Sequence, residues 1–250
     1  MSKTIGIIGA GFIGQILKRY YPDAKMYDIN GKFDTEEEVL DADVIFIAFN
    51  LTDNAISQES KDAIGRYLFN AGEGTKTFII KSTFVPGTTD YLQDLHPYHH
   101  VIYSPEFLTE MTAWEDFSKP KFQILGMPHK TLELASELFE LLPDAPVKRI
   151  ISPKDAEVLK HALNSYYALK VSWFNQLYDA CKELGADYET VREIMVQDPW
   201  IGDSHSVIFH KGYRGYGGKC LSKDPKNLAS VSHFPIINHI EEYNANLSSK

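Results

Sequence analysis

The chain is predicted to fold as α/β, a doubly wound parallel sheet followed by an all-helical part, and three observations predict it. Short apolar strand candidates alternate with helix-like stretches from Thr4 to about Ile150. A glycine-rich turn, Gly9-Ala-Gly11-Phe-Ile-Gly14, follows the first strand candidate and opens a helix. Past Ile151 the alternation stops and one long helical pattern takes over. The division expected is therefore residues 1–151 and residues 152–250.

The strand candidates are 4–8, 25–28, 44–49, 77–81, 101–103, 122–125 and 147–150. Several are apolar on both faces, as strands covered on both sides by helices must be, which points to a parallel sheet. Residues 132–142 read as an amphipathic helix stopped by Pro143, whose ring cannot continue it. Ser152-Pro153-Lys154-Asp155 is a helix start: a capping hydroxyl, proline at the first helical position and an acid at the third. The helix runs over 153–184, with Gly185 as its stop. Its apolar residues cover more than one face, so several neighbours must bury it, and a homodimer through 153–184 is expected. A shorter helix at 189–196, a glycine–cysteine loop and a last helix at 236–247 complete the chain.

Composition limits the function. The chain has 250 residues, 44% of them apolar, and a net charge of −9. That charge argues against a nucleic-acid surface, so any phosphates on a ligand must be met by local basic or backbone groups. The two cysteines, far apart, give no disulfide framework and suit a reducing cytoplasm. Cys181 reads as a packing residue within the long helix. No apolar run approaches the ~20 residues that span a bilayer. The N-terminal apolar run reads as a first strand, not as a secretory signal. No metal site is expected.

The residues that suggest chemistry lie after strands and on the long helix. In the glycine turn, Gly9 and Gly11 allow the bend and let a pyrophosphate approach the helix amides around Phe12 and Ile13, and Gly14 allows close helix–strand packing. Asp28 ends the next strand, where a carboxylate accepts hydrogen bonds from an adenosine ribose and repels a 2′-phosphate, so NAD is favoured over NADP. Lys81-Ser82-Thr83-Phe84-Val85-Pro86-Gly87-Thr88-Thr89 and Ser104-Pro105-Glu106-Phe107-Leu108 each follow a strand, at the sheet edge where such folds bind ligands. An ordinary loop capped by Thr88 or Thr89, and a solvated Glu106, are the bland readings. Glu157, Lys160 and Asn164 lie on the long helix; Lys160 and Asn164 are four apart and share a face. A lysine and an amide converging on one oxygen steady an alkoxide, the alternative being a solvated stripe. Last, Gly215-Tyr216-Gly217-Gly218-Lys219-Cys220 sets a cysteine in a turn where no Cβ blocks a ligand. Lys219 and Lys223 on either side favour its thiolate, the alternative being a buried thiol in a tight turn.

In order and wording these segments resemble the UDP-glucose/GDP-mannose dehydrogenase family, over nearly the whole chain. The resemblance implies NAD-dependent oxidation of a nucleotide-sugar C6 alcohol to a carboxylate in two hydride transfers. Cys220 would attack the intermediate aldehyde, and Lys160 and Asn164 would stabilise the oxygen on that carbon. Asp224 and Thr83 would hold a water that carries the proton, and Glu106 would assist thioester hydrolysis. Thr83 would also border the cofactor. Glu106, Phe107, Leu108, Lys160, Asn164, Tyr216 and Gly217 would line the substrate.

The sequence departs from the family in places. Relative to typical members the chain is a short form, ending near where a further nucleotide-binding domain begins. The segment from Asp28 to Val44 has little room for the usual helix. Met111 stands where a glycine is usual, and Asn50-Leu-Thr replaces a proline-containing loop. Remote binding energy normally supports catalysis, so turnover on nucleotide sugars is expected to be weakened. Two alternatives therefore stand beside the leading reading: a one-step β-hydroxyacid-type dehydrogenase, and a non-catalytic NAD-binding subunit that needs a partner domain.

Overall fold

A computed structural model of the chain describes residues 3–49, 58–210 and 212–248, with the side chains of residues 58, 59, 219 and 248 outside that description. Asn50-Leu-Thr thus lies outside the described residues, as does the side chain of Lys219. The chain divides into two units, residues 1–160 and residues 161–250.

The first unit runs β1 (Ile5–Ile8), α1 (Phe12–Tyr20), β2 (Lys25–Tyr27), α2 (Glu36–Leu40), β3 (Val44–Ile47), α3 (Gln58–Asn70), β4 (Thr77–Ile80), α4 (Thr88–Leu95) and β5 (His100–Tyr103). It continues with α5 (Ala113–Ser118), β6 (Phe122–Gly126), a 3₁₀ segment (His129–Leu134), α6 (Ala135–Leu141), β7 (Val147–Ile151) and the start of α7 (Pro153–Leu184). The seven strands make one sheet in the order β2-β1-β3-β4-β5-β6-β7. Alternation explains its two cores. Ile45 and Ile47 of β3 face one layer with Ile64, Leu68 and Leu92, while Val44 and Phe46 face the other with Leu17, Phe117 and Leu138. Strands buried on both faces are what makes their sequences continuously apolar.

Two sequence expectations need correction here. The sheet is not wholly parallel: β6 meets β5 antiparallel through the single pair Tyr103↔Gly126, then pairs parallel with β7. The chain between β5 and β6 carries only a six-residue helix, ~9 Å long at 1.5 Å per residue, and the loop before it stays at the sheet edge. Residues 132–142 are not one helix, because the 3₁₀ segment His129–Leu134 precedes α6. Thr131 donates its hydroxyl to Pro128 O at 2.8 Å, which suits the tighter turn. The short stretch between Asp28 and Val44 does hold a helix, the five-residue α2, secured by a reciprocal capping box between Thr35 and Glu38.

The second unit holds the rest of α7, then α8 (Tyr188–Met195), α9 (Gly218–Leu221), α10 (Asp224–Val231) and α11 (Pro235–Ser248). The start of α7 is capped as expected, with Asp155 N donating to Ser152 Oγ at 3.1 Å. Its end closes in a Schellman turn, with Ala186 N donating to Cys181 O at 2.8 Å and Gly185 at φ +70°. Cys181 is buried against Phe174, Tyr188 and Ile208, a packing thiol. A second cluster joins Ala168, Tyr216, Ile237 and Ile240. The expected glycine–cysteine loop is followed by α10, whose start carries Asp224 and Pro225 in its first turn.

Candidate active site

The sheet order reverses between β1 and β3, the switch point at whose strand ends doubly wound folds bind ligands. The glycine turn fits that place. A methyl group added at Gly14 would stand 1.8 Å from Gly9 O, and one added at Gly9 would stand 2.7 Å from Phe49 N. Gly11 has nothing within 4 Å, so its side is open to a ligand. Phe12 is half exposed, and Ile13 leans on the core. Asp28 accepts from Ala10 N at 2.9 Å, Asn30 N at 3.0 Å and Asn30 Nδ2 at 2.5 Å. The Ala10 amide holds its carboxyl below the ordinary range. A carboxylate offers about four acceptor sites, so one remains for a ribose hydroxyl. Ala10, Gly11, Asp28, Asn30, Lys32 and Phe33 line a cavity of ≈ 360 Å³ beside it. These residues fit the adenosine half of NAD: an open glycine, helix amides and an ionised acceptor.

The loops after β4 and β5 are drawn together because those strands pair in parallel, Ile80 beside Tyr103. Lys81, fully buried, sets its Nζ 2.5 Å from Glu106 Oε1 and donates to Ser104 Oγ at 2.8 Å. Glu106 is thus the acid of a buried ion pair, not a solvated loop residue. Lys160 donates Nζ to Glu106 O at 2.6 Å, and that Nζ lies 5.5 Å from the centre of the Phe107 ring. Phe107 and Leu108 pack against the two core layers. Thr83 is half-buried in the loop after β4.

Neither Thr88 nor Thr89 caps α4. Its N-cap is Gly87, and the acceptor comes from α7. Glu157, with no exposure, takes Thr89 N at 2.8 Å, Thr89 Oγ1 at 2.6 Å and Gly87 N at 2.5 Å. A carboxylate at a helix N-terminus is favoured by the free N–H groups there. Burial nevertheless pushes the Glu157 carboxyl up to about 7, against the pull of those three donors.

In the second unit Asn164 donates Nδ2 to Asp224 Oδ2 at 2.5 Å, both residues being buried. Cys220 is exposed on α9, and Lys223 N donates to Cys220 O at 3.2 Å. The turn before it is held by α11: Tyr216 N donates to Asn244 Oδ1 at 2.8 Å, and Asn244 Nδ2 to Tyr216 O at 2.9 Å. Gly215, at φ +83°, leaves no room for a methyl, which would stand 2.4 Å from Asn244 Oδ1. The Tyr216 ring is buried, its hydroxyl donating to Glu241 Oε1 at 2.7 Å, and burial raises its pKa. Its side chain therefore secures the turn, and Gly217 is the N-cap of α9.

Within each unit, then, Glu106 joins Lys160, and Asn164 joins Asp224. Sequence reasoning gave no role to Lys81, Ser104 or His161. A lysine closing a buried strand was the available signal for Lys81, and a histidine amid the apolar positions of a helix for His161. Among the described residues no group of three or more His, Cys, Asp or Glu is placed to hold a metal ion. Among them, too, no helix is long and apolar enough to cross a membrane.

The chain is similar to known proteins. Residues 16–142 match the sequence model of the UDP-glucose/GDP-mannose dehydrogenase family NAD binding domain, and residues 154–246 that of its central domain. The UDP-glucose 6-dehydrogenase YwqF of Bacillus subtilis is 29% identical over 244 residues, covering 93% of this chain and 53% of the relative. A UDP-glucose dehydrogenase structure from Pyrobaculum islandicum superposes with a TM-score of 0.80 at 23% identity, over 98% of this chain and 68% of the other. A 3-hydroxyisobutyrate dehydrogenase structure from Mycobacterium tuberculosis gives 0.75 at 14% identity, over 100% and 95%. At those identities the two structures establish the fold. The chain spans about half the length of the curated relatives it matches.

Proposed function

The chain belongs to the UDP-glucose/GDP-mannose dehydrogenase family, and on that premise we propose that it oxidises the C6 alcohol of a nucleotide sugar to the carboxylate through Cys220. The observation that carries this reading is Asp224, a buried carboxylate bonded to Asn164 at 2.5 Å and four residues beyond the exposed thiol of Cys220. NAD, the cofactor of the family's N-terminal domain, supplies the acceptor for both hydrides when bound.

Each residue has a separate task. Gly9, Gly11, Phe12, Ile13 and Gly14 present backbone to the pyrophosphate, and Asp28 accepts from the ribose. Asp224 and Thr83 hold the water that takes the hydroxyl proton as the alcohol becomes an aldehyde. The Cys220 thiolate adds to that aldehyde, and Lys160 and Asn164 donate to the oxyanion of the thiohemiacetal. Loss of the second hydride leaves a thioester on Cys220. Water cleaves it with Glu106 orienting the attack, releasing the carboxylate and the thiol. Lys81, its Nζ 2.5 Å from Glu106 Oε1, holds that carboxyl in place for the step. Phe107, Leu108, Tyr216 and Gly217 shape the surroundings, the first three through packed side chains.

A homodimer through helix 153–184 is part of the proposal, in a cytoplasmic setting. Tyr166 and Trp173 of α7, with Trp200 and Ile236, line an apolar cavity of ≈ 410 Å³, and Trp200 is 91% exposed. Light scattering at micromolar concentration is expected to give twice the chain mass; monomers alone would contradict it.

The purified protein, NAD and a panel of nucleotide sugars test the chemistry. Two NADH per substrate, lost in Cys220→Ser, are expected. One NADH, unchanged in that variant, would favour the one-step β-hydroxyacid reaction, whose fold neighbour covers this chain end to end. NAD binding with no NADH would favour a non-catalytic subunit.

A further inference from the structure

His161 stands beside the Asn164–Asp224 pair and takes no part in the scheme above. It lies on α7 three residues before Asn164, on the same face. Its imidazole has no exposure, and its Nδ1 is 3.9 Å from Asp224 Oδ1. Asn164 occupies the other oxygen, Oδ2. Oδ1 is buried without a hydrogen-bond partner among the described residues. Resting on the reading that Asp224 serves the reaction, we propose that His161 is the positioning residue for Asp224, its imidazole facing the carboxylate oxygen that Asn164 leaves free and holding the carboxylate plane by charge across 3.9 Å.

A carboxylate cut off from water must be paired or must take up a proton. Asn164 gives Asp224 a donor but no charge. The N-terminus of α10, in whose first turn Asp224 lies, favours the anion without supplying a proton. An imidazole can supply charge, and as a residue type it titrates nearest neutrality. The two groups are then coupled through charge and not through a hydrogen bond, since 3.9 Å lies beyond hydrogen-bond reach. Along the chain the pair is flanked by the charged residues Glu157 and Lys160 on α7 and Lys223 at the start of α10. The consequence is functional: the charge on His161 bears on how firmly Asp224 holds the water that takes the substrate's proton, so His161 shifts the pH at which the first oxidation begins.

Imidazole NMR on the ¹⁵N-labelled full chain tests this, with His161 assigned by its loss in His161→Gln. Across pH 5–9, Asp224→Asn is expected to lower the proton affinity of His161 at least tenfold, since the imidazolium loses its counter-charge inside the protein. Superimposable His161 titrations in the two proteins would overturn the proposal. Should Asp224→Asn not fold, the ¹³C-carboxyl titration of Asp224 in His161→Gln serves instead. Its midpoint is expected to rise at least tenfold in proton affinity, and no change would overturn the proposal. Neither readout needs turnover, so a coupled pair in an inactive chain would defeat only the dehydrogenase reading. Two NADH per substrate with an uncoupled His161 would defeat only this one. In an active enzyme, His161→Gln is expected to move the pH profile of kcat while KM holds.

Discussion

In residues 1–160, Glu106 meets a lysine ammonium at 2.5 Å, and Glu157 takes three donors within 2.8 Å. In residues 161–250, Asp224 has an amide on one oxygen and an imidazole 3.9 Å from the other. All three carboxylates are withdrawn from water, but their compensation differs. Lysine as a residue type keeps its charge across neutral pH, so Glu106 faces a constant cation. Histidine does not, so the charge facing Asp224 can change with pH. Glu157 lies between these cases: its donors are neutral, and burial brings its titration to about 7. The kind of partner, more than the depth of burial, is what separates the three.

The hardest test of the contrast is Lys81→Met. With Lys81 fully buried and Glu106 largely so, removing the cation should cost about 3–5 kcal/mol in denaturant unfolding, because a buried charge is left alone. Glu106→Gln added to it should recover much of that. A cost below about 1 kcal/mol would show that Glu106 needs no fixed cation.

Glu157→Gln comes next. Its folded pKa of about 7 exceeds the ordinary 4.5, so the folded state binds the proton more tightly. Stability due to this group is therefore complete below pH 4.5 and falls as pH rises towards 7. The advantage of wild type over Glu157→Gln should decline by about 3 kcal/mol between pH 4 and 8. Parallel stability curves would contradict the burial argument.

Smaller effects sharpen the picture. Asn164→Ala should destabilise by about 1.5–3 kcal/mol, the range for a hydrogen bond to a charged group, checked by thermal unfolding near pH 8. Asp28→Ala, at a site half open to water, should weaken NAD binding about tenfold, near 1.4 kcal/mol, by calorimetry, without changing unfolding stability by as much.

The sheet was legible because strands such as Val44–Ile47 and Thr77–Ile80, buried on both faces, spell themselves as unbroken apolar runs. The reversal of β6 and β7 was not, since a strand's composition carries no direction. The α7 cap and stop were legible from Ser152, Pro153 and Gly185, whose effects are local. Cys220, Asn164 and Asp224 stood out as motif words, yet the partners that give them properties did not. Lys81 reaches Glu106 only because β4 and β5 lie side by side, and His161 reaches Asp224 only through the packing of α10 on α7. Such pairings depend on tertiary neighbours far apart in sequence.

Intact-protein mass spectrometry after an acid-quenched single turnover tests the covalent route most directly. With NAD and either UDP-glucose or GDP-mannose, the Glu106→Gln variant should accumulate a sugar-derived thioester on Cys220, absent in Cys220→Ser. Oxidation to the carboxylate with two NADH and no adduct on Cys220 would contradict the account.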